Sequence, residues 1–160
     1  MVAEILIRAA SPADAFELAP VMRPADRAEI DAAQGQGACY AEAVRSSIVR
    51  SSAAWTAHIN GEIAMIGGVA PLGTLLTGNV GSPWLLGSTA MFRRPGALTR
   101  TARRYVAFMH QTYPELVNYV DARNVVSIAW LQRLGFEVRT DAPIPYGPDG
   151  VPFFRFTKKV

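Results

Sequence analysis

The chain has 160 residues, half of them apolar, and a formal net charge of +3, a size that suits one domain with a single buried core. It contains no run of 18 uncharged apolar residues, and its opening "MVAEILIRAA" lacks the basic region and apolar stretch of a signal peptide, so neither a membrane span nor a leader is expected. A single cysteine, Cys39, cannot pair within the chain, and two histidines without a Cys/His cluster leave no metal-site spacing; a reducing, cytoplasmic setting is expected.

Glu4 to Arg8 reads as a first strand. "SPADAFELA" then starts a helix, with Ser11 as N-cap, Pro12 at the first helical position and Asp14 at the positive helix end. In "MRPADRAEIDAA" Asp26 and Glu29 resemble a capping box, and a helix from about Ala38 to Ser51 puts Tyr40, Ala43, Val44, Ser47 and Ile48 on one stripe. "AAWTAHINGEIAMIGGVAP" reads as two antiparallel strands joined by Asn60-Gly61, a pair favoured in tight hairpin turns. The glycine- and proline-spaced "PLGTLLTGNVGSP" leads into "WLLGSTAMF", a buried strand. In "RRPGALTRTARRYVAFMHQTY" an arginine-glycine loop opens a helix whose Leu98, Ala102, Tyr105, Val106, Met109 and Tyr113 keep helical spacing. "LVNYVDA" is the next strand, and "NVVSIAWLQRLGF" a helix opened by Asn124 and closed by Gly135 in a left-handed cap. "FEVRT" and "PFFRFTK" are closing strands around the loop "DAPIPYGPDG".

This order predicts an α/β fold in one domain, 1–160, with a mixed sheet of six to seven strands flanked by about four helices and with its middle strands parallel. Ligands of such sheets bind near the C-terminal strand ends, where a helix N-terminus offers free N–H groups to phosphate. The charge pattern points to the same corner. No acidic residue lies between Glu62 and Glu115, whereas Arg93, Arg94, Arg100, Arg103 and Arg104 fall within twelve positions. An anion is expected there, gripped by planar guanidinium forks; a solvated helix face is the plain alternative. Nucleic acid ranks below a small phosphorylated ligand because no aromatic stacking platform accompanies the arginines.

Two stretches carry a family resemblance. "RRPGAL" looks like the pyrophosphate loop of the GNAT superfamily of acyl-CoA-dependent N-acyltransferases, Gln/Arg-x-x-Gly-x-Gly/Ala, with Arg93 and Gly96 in place. The spacing from Asn124 to Gly135-Phe136 resembles the family's asparagine, helix and Leu-Gly-Phe. The resemblance implies a GNAT-like fold and transfer of an acyl group from acetyl-CoA, a cosubstrate, to an amine on a small molecule or protein, without a metal. It implies that Leu85, Leu86, Gly87 and Ser88 pair with the pantetheine arm and that Arg93, Arg94, Gly96, Ala97 and Leu98 hold the pyrophosphate. Asn124 and Ser127 would lie near the reacting end, and an N–H near Leu86 or Gly87 would polarise the thioester carbonyl. Two positions depart from the family pattern. Leu131 stands where a tyrosine often protonates the thiolate, and in the loop Leu98 replaces a small residue while Pro95 removes a donor.

Glu62 after the hairpin turn and Asp121 at the end of the fifth strand are candidate bases by position, and Tyr119 or Tyr146 could replace the missing acid. Trp130 reads as a packing aromatic, Cys39 as an inert thiol, and His58 as a surface or half-buried histidine. "PWLLG", "NxxSIxWLxxLGF" and "YGPxGxPFxxF" also resemble GNAT-like proteins of tailed phages. That likeness implies an alternative: a non-catalytic protein of the virion, or one that binds a host protein. On either reading the oligomeric state is left open, an oligomer being one possible state.

Overall fold

Asn60 and Gly61 both take positive φ, 51° and 79°, the conformation of a two-residue turn whose twist matches its strands, and the runs around them pair as an antiparallel hairpin. The computed structural model describes residues 2–74, 76 and 79–160; of the connection expected at 71–83, residues 75, 77 and 78 lie outside the described residues. The strands are β1 (Ile5–Ala9), β2 (Ala53–Ile59), β3 (Glu62–Leu72), β4 (Val80–Gly87), β5 (Glu115–Asp121), β6 (Glu137–Val138), β7 (Ile144–Tyr146) and β8 (Val151–Lys159). The helices are α1 (Asp14–Leu18), α2 (Pro24–Gln34), α3 (Tyr40–Arg50), α4 (Pro95–Met109) and α5 (Val125–Arg133).

The strands form one mixed sheet in the order β1-β2-β3-β4-β5-β8-β6, with β7 also on β8. The expected α/β architecture is present, with one strand and one helix beyond the seven and four read from the sequence. The extra strand, β7, lies in the stretch read as a loop, where Ile144 pairs with Phe153 and Tyr146 with Val151. The extra helix is α2, where Pro24 occupies the first turn, as its missing N–H allows. Asp26 and Glu29 do not form a capping box on it; both turn toward the sheet.

Two apolar layers cover the sheet. On one face Leu18, Ile30, Val44 and Ile48 of α1 to α3 pack on Ile63 and Ile66, with Trp84 and Leu86 of β4 beside them. On the other, Val106 and Met109 of α4 and Leu134 after α5 pack on Leu116, Val120 and Phe156. Burying such side chains is worth about 1.5–3 kcal/mol each, which sets the scale of the polar terms below.

Ser11 does not cap α1, which starts three residues later and has no side-chain cap. Asp14 instead turns inward: its carboxylate accepts from Arg8 at 2.8 and 2.9 Å, from the Ser11 N–H at 2.9 Å and from the fully buried Thr56 hydroxyl at 2.6 Å. The Arg8 bonds and the other two donors hold its pKa well below the ordinary carboxylate range, against the opposing effect of burial. Asp14→Ala should therefore lower the unfolding free energy by about 2–3 kcal/mol near pH 7, read from urea midpoints. The deficit should shrink as the pH falls below the ordinary carboxylate range, because a depressed pKa stabilises only while the unfolded chain's Asp is ionised. A loss that does not change with pH would assign the effect to packing.

Candidate active site

Parallel pairing between β4 and β5 is limited to Val80 with Glu115 and Gly81 with Leu116; beyond that point the strands diverge. Asn118 spans the start of the gap, its Nδ2 donating to the Pro83 carbonyl at 2.8 Å. Successive residues of a strand turn their N–H and C=O alternately to its two neighbours, so Pro83, Leu85 and Gly87 address the gap while Trp84 and Leu86 bond to β3. Pro83 has no N–H and its carbonyl is taken. At Gly87 the N–H donates to the Asp26 carboxylate at 2.8 Å and the C=O accepts from the Arg23 N–H at 2.8 Å. Leu85 is left with its N–H and C=O facing the gap.

A cavity of about 760 Å³ runs through this opening, lined from both faces of the sheet. That volume is in the ordinary range of small-molecule sites. On the α4/α5 face its walls include Leu85, Leu98, Tyr105, Trp130 and Leu131; on the α2 face they include Glu29, Ile30, Trp84, Tyr119 and Tyr146. Burial raises the Tyr105 hydroxyl pKa, so that phenol stays protonated in the working range.

Beside the cavity lies the start of α4. Pro95 is in its first turn, no side chain caps it, and the Leu98 N–H closes onto the Arg94 carbonyl at 3.0 Å. The Gly96 and Ala97 amides precede that first bond and point outward along the positive end of a 15-residue helix. Arg100 lies nearby, its Nη1 within 3.8 Å of where a Cβ on Gly96 would be.

The arginines expected to converge here do not. Arg93 pairs at 2.7 Å with Glu62, the first residue of β3, and Arg94 reaches the Ala3 carbonyl at 3.4 Å. Arg103 donates to the Arg133 carbonyl, and Arg104 is exposed. Glu62 is accordingly an exposed ion-pair partner outside the cavity, not a base within it.

Asp121 is also set aside as a base. Its carboxylate is 2 % exposed and accepts from the Arg123 guanidinium at 2.6 Å and the Arg123 N–H at 2.9 Å. Burial alone would raise its pKa, but the Arg123 bonds outweigh it and hold the group below the ordinary carboxylate range. The Gly87 N–H, occupied by Asp26, is no oxyanion donor, and Leu86 turns its backbone toward β3. Ser88 is buried, donating to the Ile63 carbonyl and accepting from the Ala90 N–H. Asn124 caps α5 as expected, its Oδ1 accepting from the Ser127 N–H at 3.2 Å, while its Nδ2 is engaged by Glu29. Of the residues expected at the site, Leu85, Leu86, Leu98, Tyr119, Tyr146 and Ser127 line the cavity.

Glu29 is the site residue that the sequence reading missed. Its Oε1 accepts from the Asp121 N–H and from Asn124 Nδ2, both at 3.1 Å, so it ties α2 to the end of β5 and the start of α5 at the cavity wall. Burial raises its pKa to about 7; the two hydrogen bonds oppose the shift, and the charges of Asp26 and Asp121 add to it. A signal was present: Asp26, Glu29, Ile30 and Ala33 share one helical face, which places two acids on an apolar stripe.

No protein-family model and no curated protein sequence matches the chain. Solved structures do match. Ribosomal-protein-alanine N-acetyltransferase from Brucella melitensis superposes with a TM-score of 0.72 at 15 % identity, over 97 % of this chain and 99 % of that one. A GCN5-related N-acetyltransferase from Kribbella flavida gives 0.68 at 18 % identity over 98 % of each chain. A Bacillus subtilis acetyltransferase solved in complex with CoA gives 0.64 at 9 % identity over 99 % of each. The fold is that of the GNAT acetyltransferases. Within this GNAT fold, the splayed β4/β5 gap, the uncapped α4 start and the two-sided cavity lie together at the C-terminal ends of the central strands, where sheets of this class bind ligands. Among the described residues no group of three or more His, Cys, Asp or Glu could hold a metal ion, and no helix is long and apolar enough to cross a membrane.

Proposed function

We propose that this chain, as one domain, is an acyl-CoA-dependent N-acyltransferase, with acetyl-CoA as the expected donor. The observation that carries the reading is the cavity through the β4/β5 gap, with a strand edge at Leu85 free to pair with an extended amide-bearing arm. The residues fit such a cosubstrate. Leu85 offers one N–H and one C=O to the arm, the Leu98, Tyr105 and Trp130 side chains give it apolar walls, and the Gly96 and Ala97 amides with Arg100 suit a diphosphate. When bound, the cosubstrate supplies an activated acyl thioester.

The chain's own part is to exclude water, orient the amine and accept its proton. Glu29 is the base: it faces the cavity, and a pKa of about 7 lets it hold a proton reversibly near neutrality. Its Oε1 is fixed by two donors, which leaves Oε2 for the amine. Leu131 donates nothing to a departing thiolate. Ser127, four residues earlier on α5, carries the one hydroxyl among that helix's cavity-lining residues and is placed to relay a proton.

Thermal unfolding with and without acetyl-CoA tests the binding half of this reading. At 100 times its dissociation constant the ligand adds about 2.7 kcal/mol, which for a chain of this size is about 5–10 °C in Tm. Absence of a shift at millimolar acetyl-CoA would instead favour the alternative of a GNAT-shaped protein, virion-associated or host-binding, in which the fold serves recognition alone.

A further inference from the structure

The α2 side of the cavity has a composition of its own. Tyr119, Tyr146 and Phe153 form a continuous aromatic wall, with ring centroids 5.6 Å apart for the first pair and 4.6 Å for the stacked second pair. All three line the cavity, and Ile30, Ala33 and Trp84 supply the opposing apolar surface. In β5 Tyr119 alternates with Val120, which packs under α4 and α5, so its side chain leaves the opposite face of the sheet, the one covered by α2, which carries Glu29.

The charges on this side are few and mostly committed. Arg23 and Asp26 neutralise each other in a two-point pair at 2.9 and 2.7 Å, and Asp26 also holds the Gly87 N–H. Among the described residues lining this face, Glu29 is therefore the charged group left with an unused oxygen, and no cation is free. A ligand carboxylate or phosphate drawn in beside the amine would be desolvated without a partner.

One end of this side is also roofed. Gly147, at φ +69°, lies so close to α2 that a Cβ there would collide with the Ala32 carbonyl, and Pro148 packs near Gly35. The turn after β7 thus rests on the C-terminal end of α2. A compact molecule fits such a recess better than an extended polypeptide does.

From the aromatic wall, the single available carboxylate and the roofed end together, we propose that the acceptor is a small arylalkyl primary amine bearing no anionic substituent. This rests on the acyltransferase reading above. The flat body lies on Tyr119 and Tyr146 and the amine reaches Glu29, where aromatic faces and a carboxylate both favour an ammonium before it loses its proton. On transfer, Glu29 first takes the ammonium's proton and releases it to solvent, the freed amine nitrogen bonds to the acyl carbon, the carbon–sulfur bond breaks, the nitrogen's second proton goes to Glu29, and the sulfur leaves as a thiolate that takes a proton from solvent through Ser127.

The test compares acceptors with acetyl-CoA as donor, following free thiol release. 2-Phenylethylamine and phenylalanine share a ring and differ by one carboxylate; spermidine and an alanine-initiated peptide represent polar and polypeptide amines. The expected result is a kcat/KM for 2-phenylethylamine at least about 100-fold above each of the others, since a buried polar mismatch discriminates strongly. Tyr146→Ala should raise the KM for 2-phenylethylamine about 10-fold while the acetyl-CoA-induced Tm shift stays unchanged. Preference for phenylalanine, spermidine or the peptide overturns the inference and leaves the acyltransferase reading standing. Acetyl-CoA binding without turnover of 2-phenylethylamine also overturns it. Failure to bind acetyl-CoA at all overturns the underlying reading, and is told apart by the missing Tm shift.

Discussion

Glu29→Gln is expected to lower kcat about 10²- to 10⁴-fold and, at the same time, to make the protein more stable above pH 7. The first effect is the usual contribution of a positioned general base. The variant keeps an oxygen able to accept from the Asp121 N–H and Asn124 Nδ2, so the α2 to β5 contact survives while the proton acceptor is lost. The second effect follows from the direction of the pKa shift. In the folded chain the group titrates at about 7, raised by burial, whereas in the unfolded chain it titrates at about 4.3. Between those values the native state holds a proton that the unfolded state has released, so this group's contribution to stability is full below about pH 4 and is lost as the pH rises to about 7. At pH 8 the ionised Glu29 therefore costs about 3–4 kcal/mol, which a neutral glutamine removes. Urea unfolding at pH 4 and pH 8 checks this: the variant should match the wild type closely at the lower pH and exceed it at the higher. Wild-type kcat/KM should rise with pH through about 7. A variant that is inactive but no more stable at pH 8 would mean that Glu29 shapes the site without being a strained base.

That combination explains why the base was hard to see in the sequence. Elements marked by local chemistry were legible: the Asn60-Gly61 turn, the Asn124 cap, the left-handed Gly135 at φ +90° and the α4 stripe of Val106 and Met109. So was the parallel β4/β5 pair with a helix between, which follows from chain order alone. What failed was partner choice over long sequence separation. Arg93 sits in a stretch free of acids, yet the sheet brings Glu62 across to it from 31 residues away. Asp121 has the position of a base, but its neighbour Arg123 occupies it. Glu29 has the spacing of a capping residue, but it meets its partners 92 and 95 residues further on. Periodicity fixes which face a side chain leaves, and only the folded sheet decides what waits there.

Asp26→Ala should cost about 3–5 kcal/mol, a third or more of the stability of an ordinary domain, and should do so without touching the proposed chemistry directly. The carboxylate, 2 % exposed, accepts from Arg23 Nε and Nη2 and from the Gly87 N–H at 2.9, 2.7 and 2.8 Å. Removing it strands a guanidinium that is itself almost wholly buried, and leaves the last amide of β4 without an acceptor. The contact of Arg23 with the Phe92 ring, 5.4 Å from guanidinium carbon to centroid, does not replace the lost charge. Because the Arg23 N–H also holds the Gly87 carbonyl, this pair fixes the start of α2 to the end of β4, and α2 carries Glu29 one turn later. The loss should therefore appear twice: as a lower urea midpoint, and as a reduced kcat at temperatures where the variant is still folded. Replacing both partners, Arg23→Met with Asp26→Leu, should recover most of the stability, since no charge is then left buried, but not the kcat, because the Gly87 anchor is gone. If Asp26→Ala alone costs less than about 1 kcal/mol, water reaches the guanidinium and the pair is not what sets α2 against the sheet.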